Sequence, residues 1–295
     1  MSGNLVVHAP LSRTRGRTAQ LRAQLIAVLN EDHPQSVRHL FYRMTDPRLP
    51  APVAKDEAGY RTVQYQLAKM RRERLIPFNW ITDATRRGHH VNTFDNAADF
   101  VRRMLGLYRA NSWQDSPHYV EVWTESRSIA GVIEGDCDDL GVSLYPSGGF
   151  TSLTLAYEAA TYIGHCCAGH NRTAQIVYIG DLDQSGVLID KKIEDELRSH
   201  LGDTVDLNFH RIAINEEQIA LHNLPTKPRK PGDKRSAQVK ETVEAEAMPA
   251  QIMRALLRET IEGFMPAGAL EIAKAAEESE QAYLRAVAYQ IEVAG

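Results

Sequence analysis

The sequence predicts an α/β protein with two domains: a helical N-terminal domain, and a second domain with a mostly parallel sheet and C-terminal helices. Three observations support this prediction. The chain has 295 residues, enough for two domains. Strand-like and helix-like segments alternate between residues 118 and 214, as parallel βαβ units require. Residues 1–110 contain 18 Lys and Arg against 9 Asp and Glu, whereas residues 111–295 contain 16 against 29, so a basic module precedes an acidic one.

The composition excludes several classes of protein. With 43% hydrophobic and 24% charged residues, the chain is ordinary globular protein. No apolar run reaches the roughly 18 residues of a membrane span, and Met1 to Pro10 lacks the features of a signal peptide. The 3 cysteines do not form a disulfide framework. We therefore expect a cytoplasmic protein without a membrane partner.

The N-terminal part is expected to bind nucleic acid. Residues 1–17 are predicted to be a flexible basic arm, and residues 18–112 a domain of three helices followed by short strands over 75–82. Three helices followed by a β-wing describe a winged helix-turn-helix domain. The helix over 60–74 would be its recognition helix, although a solvated basic face is the alternative. The candidate DNA-binding residues are Arg61, Tyr65, Lys69, Arg72, Arg86 and Arg87.

The second helix of this domain contains a candidate nucleophile, Tyr42. At about 100° per residue, the apolar positions fall on one face and Tyr42 falls roughly opposite, one turn after Arg38. A tyrosine hydroxyl has a pKa of about 10 and is a poor nucleophile unless a cation or base activates it. Arg38 would stabilise the phenolate or bind a phosphate. The segment by itself favours an ordinary amphipathic surface tyrosine.

Carboxylates follow two predicted strands of the second domain, residues 113–295. Glu125 follows one strand, and Asp181 and Asp183 follow another, with glycines on both sides. In open α/β sheets, ligands bind at the carboxyl ends of the strands. Carboxylate oxygens suit Mg²⁺, and Mn²⁺ accepts the same ligands. The alternative is an acidic turn in which an aspartate caps a helix.

The predicted C-terminal helical extension covers residues 249–264 and 267–293 and would pack on the sheet or on a partner chain. Glu244 and Glu246 lie just before it. Either could add a further acidic group to the site, and the sequence leaves this question open.

These motifs resemble those of a known family. Glu125 after one strand and Asp181-Leu182-Asp183 after another, with Gly186 following, resemble a Toprim domain, the Mg²⁺-binding domain of topoisomerases and of some primases and nucleases. The stretch from Ser36 to Tyr42 resembles the nucleophile motif of the topoisomerase VI A subunit and the meiotic double-strand-break transesterases, with an arginine four residues before the reactive tyrosine. The domain order, winged helix before Rossmann-like Toprim, also matches, and the resemblance covers most of residues 18–214.

The resemblance implies a type IIB topoisomerase A-subunit-like DNA transesterase. Such an enzyme makes Mg²⁺-dependent double-strand breaks through a 5′-phosphotyrosyl intermediate. Tyr42 would be the nucleophile and Arg38 its assistant, while Glu125, Asp181 and Asp183 would bind the metal. The implied partners are double-stranded DNA in the nucleoid, a second copy of the chain in a homodimer, and a separate ATPase subunit. The short chain resembles the minimal stand-alone relatives found on bacterial and phage mobile elements.

Two other interpretations fit the same residues. In a hydrolytic Toprim nuclease, water attacks the phosphate and Tyr42 has no chemical role. In a non-enzymatic winged-helix DNA-binding protein, the Toprim-like part is an inert scaffold. Cleavage that persists in Tyr42→Phe would favour the first, and normal function in Asp181→Ala would favour the second.

Overall fold

The structure is a computed structural model that describes residues 13–82, 91–149, 153–228 and 241–294. The chain divides into two compact units. The first comprises the residues up to Asp83 together with Glu246–Gln251, and the second comprises Ala84–Ala245 together with Ile252–Gly295. Helices alternate with parallel strands in the second unit, which confirms the α/β class.

The first unit is mainly helical. Its elements are α1 (Arg13–Glu31), β1 (Gln35–Ser36), α2 (Val37–Met44), α3 (Glu57–Arg72) and β2 (Ile81–Thr82). Side-chain caps begin two of the helices. The Ser36 hydroxyl accepts a hydrogen bond from the N–H of His39 at 3.2 Å, and the Asp56 carboxylate accepts one from the N–H of Gly59 at 2.7 Å.

Two features of the first unit differ from the sequence-based expectation. Helix α1 begins at Arg13, so residues 13–17 are helical and not part of an arm, in keeping with the good helix propensity of arginine. The segment before β2 forms a 3₁₀ turn at Phe78–Trp80, and β2 pairs in parallel with β1. A wing hairpin is therefore absent from the described residues up to Thr82, and residues 83–90 lie outside them.

The second unit contains a four-stranded, fully parallel sheet in the order β4-β3-β5-β6. The strands are β3 (His118–Thr124), β4 (Ser143–Pro146), β5 (Thr173–Ile179) and β6 (Leu207–Ala213). The helices that connect them are α5 (Arg127–Leu140), α6 (Leu153–Cys167) and α7 (Gln184–Leu201). The prediction of parallel βαβ units over this region is confirmed.

The connections of this sheet run in two directions from its centre. From β3 the chain crosses to β4 on one side, whereas from β5 it crosses to β6 on the other. Since such crossovers are right-handed, α5 lies on one face of the sheet, and α6 and α7 lie together on the other. A buried apolar cluster fills the space under α6 and α7, and it includes Trp123, Ile163, Ile176, Tyr178, Ile193 and Leu197.

The remaining elements of the second unit surround this sheet. Helix α4 (Ala97–Met104) precedes it, and α8 (Glu216–His222), the paired strands β7 (Lys227–Pro228) and β8 (Glu241–Thr242), α9 (Ala250–Glu262) and α10 (Ala269–Ala294) follow it. Helix α10 packs on α4, where Arg102 pairs with Glu292 at 2.8 Å. No described helix is long and apolar enough to cross a membrane.

Candidate functional site

Glu125 and Asp181 lie side by side at the carboxyl edge of the sheet. Glu125 directly follows β3, and Asp181 comes two residues after the end of β5. Strands β3 and β5 are hydrogen-bonded neighbours in the sheet. The N–H of Asp181 donates to Oε2 of Glu125 at 3.3 Å. The strand order reverses between β3 and β5, so this is the topological switch point of the sheet. Open α/β sheets bind their ligands in the crevice at that point.

A distant segment of the chain holds the turn that contains Asp181 and Asp183. Leu182 and Val243 exchange two backbone hydrogen bonds of 2.9 Å each, and the N–H of Ala245 donates to Oδ1 of Asp181 at 2.8 Å. The bridge is antiparallel, so Glu244 comes opposite Asp181. The structure thus brings Glu244 beside the predicted acidic residues. Glu246 is buried.

The acidic edge has the donor chemistry of a site for Mg²⁺. Glu125, Asp181 and Asp183 are half-buried and supply carboxylate oxygens, which suit this ion. Within the described ranges, no three or more His, Cys, Asp or Glu side chains converge as a complete metal-binding group. Mg²⁺ is commonly held by one or two carboxylates together with waters and substrate phosphates. Glu125 and Asp181, which are joined by the backbone hydrogen bond, are the candidate carboxylates for such a site.

Gly180 gives the turn its close fit to the strand below. A Cβ atom at this position would lie 2.4 Å from the hydroxyl oxygen of Tyr178 and 2.6 Å from its Cε1. The phenol of Tyr178 is fully buried. Burial raises the pKa of Tyr178, and the negative charge of Glu125 raises it further. The ring therefore stays neutral beneath the acidic turn.

Arg211 is a residue of this edge that the sequence did not reveal. It lies on β6 beside Tyr178 of β5, and its guanidinium donates to the carbonyl oxygens of Gly180 and Asp181 and to the Asp190 carboxylate. Arginine in a strand gives no periodic signal, and its partners are distant in sequence. The signal that could have identified it is an arginine in the second half of a strand, just before the acidic stretch that follows β6.

Tyr42 is buried, with 5% of its surface exposed, and the expectation that it lies on a solvated helix face is wrong. The loop between α2 and α3 folds back over this side of the helix. The N–H of Val53 donates to the carbonyl oxygen of Met44 at 2.9 Å, and the ammonium of Lys55 lies 5.5 Å from the centroid of the Tyr42 ring. Helical periodicity reports the apolar face but not such a loop.

A cation that the sequence did not suggest, Lys55, lies near the Tyr42 ring. Arg38 is exposed one turn earlier on α2. Lys55, half-buried against the ring, comes from the loop. The ammonium lies over the face of the ring, which is a cation–π contact. Lys55 is thus a further candidate to assist Tyr42.

The candidate DNA-binding face of α3 is solvent-exposed. Arg61, Tyr65, Lys69 and Arg72 all lie on the surface, and Tyr65 is 62% exposed. Ion pairs within the helix region reduce the positive charge, because Arg61 pairs with Glu57 at 3.0 Å and Lys69 with Glu73 at 3.8 Å. Exposed pairs of this kind are weak and exchange readily for phosphate contacts. Arg86 and Arg87 lie outside the described residues.

Glu121 is a second unusual carboxyl group, inside the sheet. It is fully buried on β3 and accepts hydrogen bonds from Tyr119 at 2.8 Å and from Trp123 at 2.9 Å. Burial raises the pKa of Glu121 to about 7, although the hydrogen bonds from Trp123 and Tyr119 oppose the shift. It lies in the body of the strand, away from the carboxyl edge.

Comparisons with known proteins identify no relative of this chain. No family model matches it, and no curated protein or solved structure matches it. What the fold and the site define is therefore a class: an α/β protein with an acidic pair at the switch point of a parallel sheet. A function has to be argued from these residues and their geometry.

Proposed function

We propose that this protein is a Mg²⁺-dependent DNA transesterase of the type IIB topoisomerase A-subunit kind. The observation that carries the proposal is the contact between Glu125 and Asp181 across the ends of neighbouring parallel strands. Acidic residues at a switch point provide the site for a divalent cation and a phosphate. The resemblance of Glu125, Asp181 and Asp183 to a Toprim triplet, and of the stretch around Tyr42 to a nucleophile motif, makes DNA the proposed substrate.

In this proposal Glu125, Asp181 and Asp183 would bind Mg²⁺, or Mn²⁺ in its place. The ion would stabilise negative charge on the scissile phosphate and on the leaving oxygen. The Tyr42 oxygen would form a bond to phosphorus while the bond between phosphorus and the 3′ oxygen breaks. The phenol loses its proton, the 3′ oxygen takes one up, and the 5′ phosphate remains on the protein. Arg38 and Lys55 would favour the phenolate.

The proposal requires that Tyr42 becomes accessible and that the first unit binds DNA. The buried Tyr42 must become accessible when DNA or a second protomer binds, because only 5% of its surface is exposed. In the proposed homodimer, the tyrosine of one protomer acts with the acidic edge of the other, and each chain cuts one strand. The exposed face of α3, from Arg61 to Arg72, would bind the duplex. Passage of a second duplex would require a separate ATPase subunit.

The same burial of Tyr42 favours one competing function, a hydrolytic nuclease. In that case a water molecule attacks the phosphate and the acidic edge alone is needed. The enzyme would then release DNA with free ends and form no covalent adduct.

A trapping assay separates the two functions. The full-length protein is mixed with supercoiled plasmid and Mg²⁺ or Mn²⁺, denatured, and assayed for DNA retained on protein. Tyr42→Phe is compared with Tyr60→Phe, a matched tyrosine whose ring lies 5.5 Å from that of Phe41. An adduct lost only in Tyr42→Phe supports the transesterase. Linear DNA without an adduct in any of the proteins supports hydrolysis, and an adduct that persists in Tyr42→Phe contradicts the assignment of the nucleophile.

A further inference from the structure

Two carbonyl groups of the turn that contains Asp181 accept hydrogen bonds from one side chain on the neighbouring strand. Nη2 of Arg211 donates to the carbonyl oxygen of Gly180 at 3.2 Å and also to that of Asp181. Nε of Arg211 donates to the carbonyl oxygen of Ile214 at 3.2 Å. One guanidinium thus binds the chain just beyond the ends of both β5 and β6.

A half-buried carboxylate lies on the other side of this guanidinium. Nη1 of Arg211 donates to Oδ2 of Asp190 at 2.6 Å, and the two side chains are 15% and 14% exposed. Asp190 lies on α7, the helix that follows the acidic turn. Arg211 therefore connects β5, β6 and α7 at the point where the acidic residues emerge. Four of its five N–H donors have partners, and a lysine could not reproduce this planar fork.

The local backbone directs Arg211 to this position. Tyr178 pairs with Arg211 and Ile179 pairs with Ala213, so Ile212 is an extra residue in β6. Such bulges re-aim a side chain beside functional sites. The guanidinium also lies 5.4 Å from the centroid of the Tyr178 ring, whose phenol occupies the space beneath Gly180. The turn is thus held from below by the ring and from the side by the arginine.

We infer that Arg211 is a positioning residue that holds the Gly180–Asp181 turn so that the Asp181 carboxylate lies beside Glu125. Within the turn, Arg211 binds the carbonyl oxygens of Gly180 and Asp181. The acidic side chain of Asp181 belongs to the same stretch of backbone. The role in metal binding rests on the proposed function. The role in fixing the turn does not rest on the proposed function, so the two roles can be measured separately.

The first measurement concerns the turn itself, in metal-free full-length protein. Arg211→Lys is compared with Arg198→Lys, a matched control on α7 whose arginine pairs with Glu194 at 2.6 Å on the surface. We expect amide hydrogen exchange at Asp181 and Leu182 to be at least tenfold faster in Arg211→Lys. Exchange at Val177, in the middle of β5, should be unchanged. Equal exchange rates at Asp181 in a folded Arg211→Lys variant would overturn the inference.

The second measurement is Mn²⁺ binding without DNA, followed by the loss of the free-ion signal in electron paramagnetic resonance. We expect the dissociation constant to rise at least tenfold in Arg211→Lys and to stay within twofold in Arg198→Lys. If the wild-type protein binds no Mn²⁺, or if Asp181→Asn does not abolish the binding, the proposed function fails. The exchange experiment still decides the role of Arg211 in that case. Should Arg211→Lys not fold, Asp190→Asn keeps an acceptor oxygen and should give a smaller acceleration at Asp181. Unchanged exchange at Asp181 in Asp190→Asn would contradict the inference.

Discussion

The N–H of Asp181 donates a hydrogen bond of 3.3 Å to the carboxylate of Glu125. This contact joins the ends of two strands that neighbour each other in the sheet but are 56 residues apart in the chain. It also brings the carboxylate of Glu125 to the backbone of Asp181, the other acidic residue of this edge.

Neutralising Asp181 should strongly reduce the proposed DNA cleavage without unfolding the protein. In Asp181→Asn, Oδ1 can still accept the N–H of Ala245, so the free energy of unfolding should change by less than about 1 kcal/mol. Cleavage at fixed Mg²⁺ should fall on the order of 100-fold, because a carboxylate that would hold the charge-stabilising cation is lost. Plasmid cleavage and thermal unfolding are the measurements. Asp138→Asn, an exposed aspartate of α5, is the control, and wild-type cleavage by Asp181→Asn would refute the metal role.

Removing cations from the exposed face of α3 should weaken DNA binding in a salt-dependent way. Each phosphate contact contributes about 1 to the slope of log K against log salt concentration. Arg72→Ala and Lys69→Ala should therefore each lower that slope by about 1. Fluorescence anisotropy with a labelled duplex at several salt concentrations gives the slope. Arg48→Ala, whose guanidinium pairs with Asp46 at 2.7 Å, should leave it unchanged. An unchanged slope in both helix variants would mean that α3 is a solvated basic face.

The buried Glu121 should make stability depend on pH. Burial raises the pKa of Glu121 from its usual 4.5 to about 7. Between these values the folded protein keeps a proton that the unfolded chain releases, so the free energy of unfolding should fall as pH rises from about 4.5 to 7. The loss is on the order of 3 kcal/mol, at 1.36 kcal/mol per pKa unit.

Glu121→Gln should remove this dependence, because an amide stays neutral at every pH. The variant should match the wild-type protein near pH 4.5 and exceed it in stability at pH 8. Urea unfolding across this range is the measurement. Glu158→Gln, an exposed position on α6, should keep the wild-type profile. A Glu121→Gln variant whose stability still falls between pH 4.5 and 7 would show that another group is responsible.

Gly180→Ala should destabilise the turn. The added Cβ would lie 2.6 Å from Cε1 of Tyr178, and the ring is fully buried. Because the core must shift to admit the methyl group, the cost should be about 1–3 kcal/mol. Gly135→Ala is the contrasting control, because its Cβ would meet no atom within 4 Å. An alanine inside α5 should raise the free energy of unfolding by at most about 1 kcal/mol. Chemical denaturation of both variants tests the pair, and a neutral Gly180→Ala would rule out the close approach.

The sequence predicted the parts of the fold that depend on local patterns. Alternating strand and helix segments, with Glu125 and Asp181 just beyond two strands, were enough to expect a parallel sheet with an acidic edge. These features follow from residues within one or two turns of each other.

Contacts made by distant residues could not be read in the same way. The burial of Tyr42 depends on a loop that returns through Val53 and Lys55, and helical periodicity carries no information about that loop. Arg211 reaches Asp181 from 30 residues away. The pairing of β1 with β2 joins two-residue strands, too short for a recognisable pattern.

The bond between Ala245 and Asp181 spans 64 residues of chain. Closing so long a loop costs conformational entropy that nearby contacts do not, so we expect the acidic turn to be completed late in folding, after β5 and β6 have paired. The same reasoning makes the turn a place of local opening in the native protein. Native-state hydrogen exchange should then show Leu182 and Val243 exchanging through smaller openings than Val177. The residues proposed to bind metal would be the last to assemble and the first to separate.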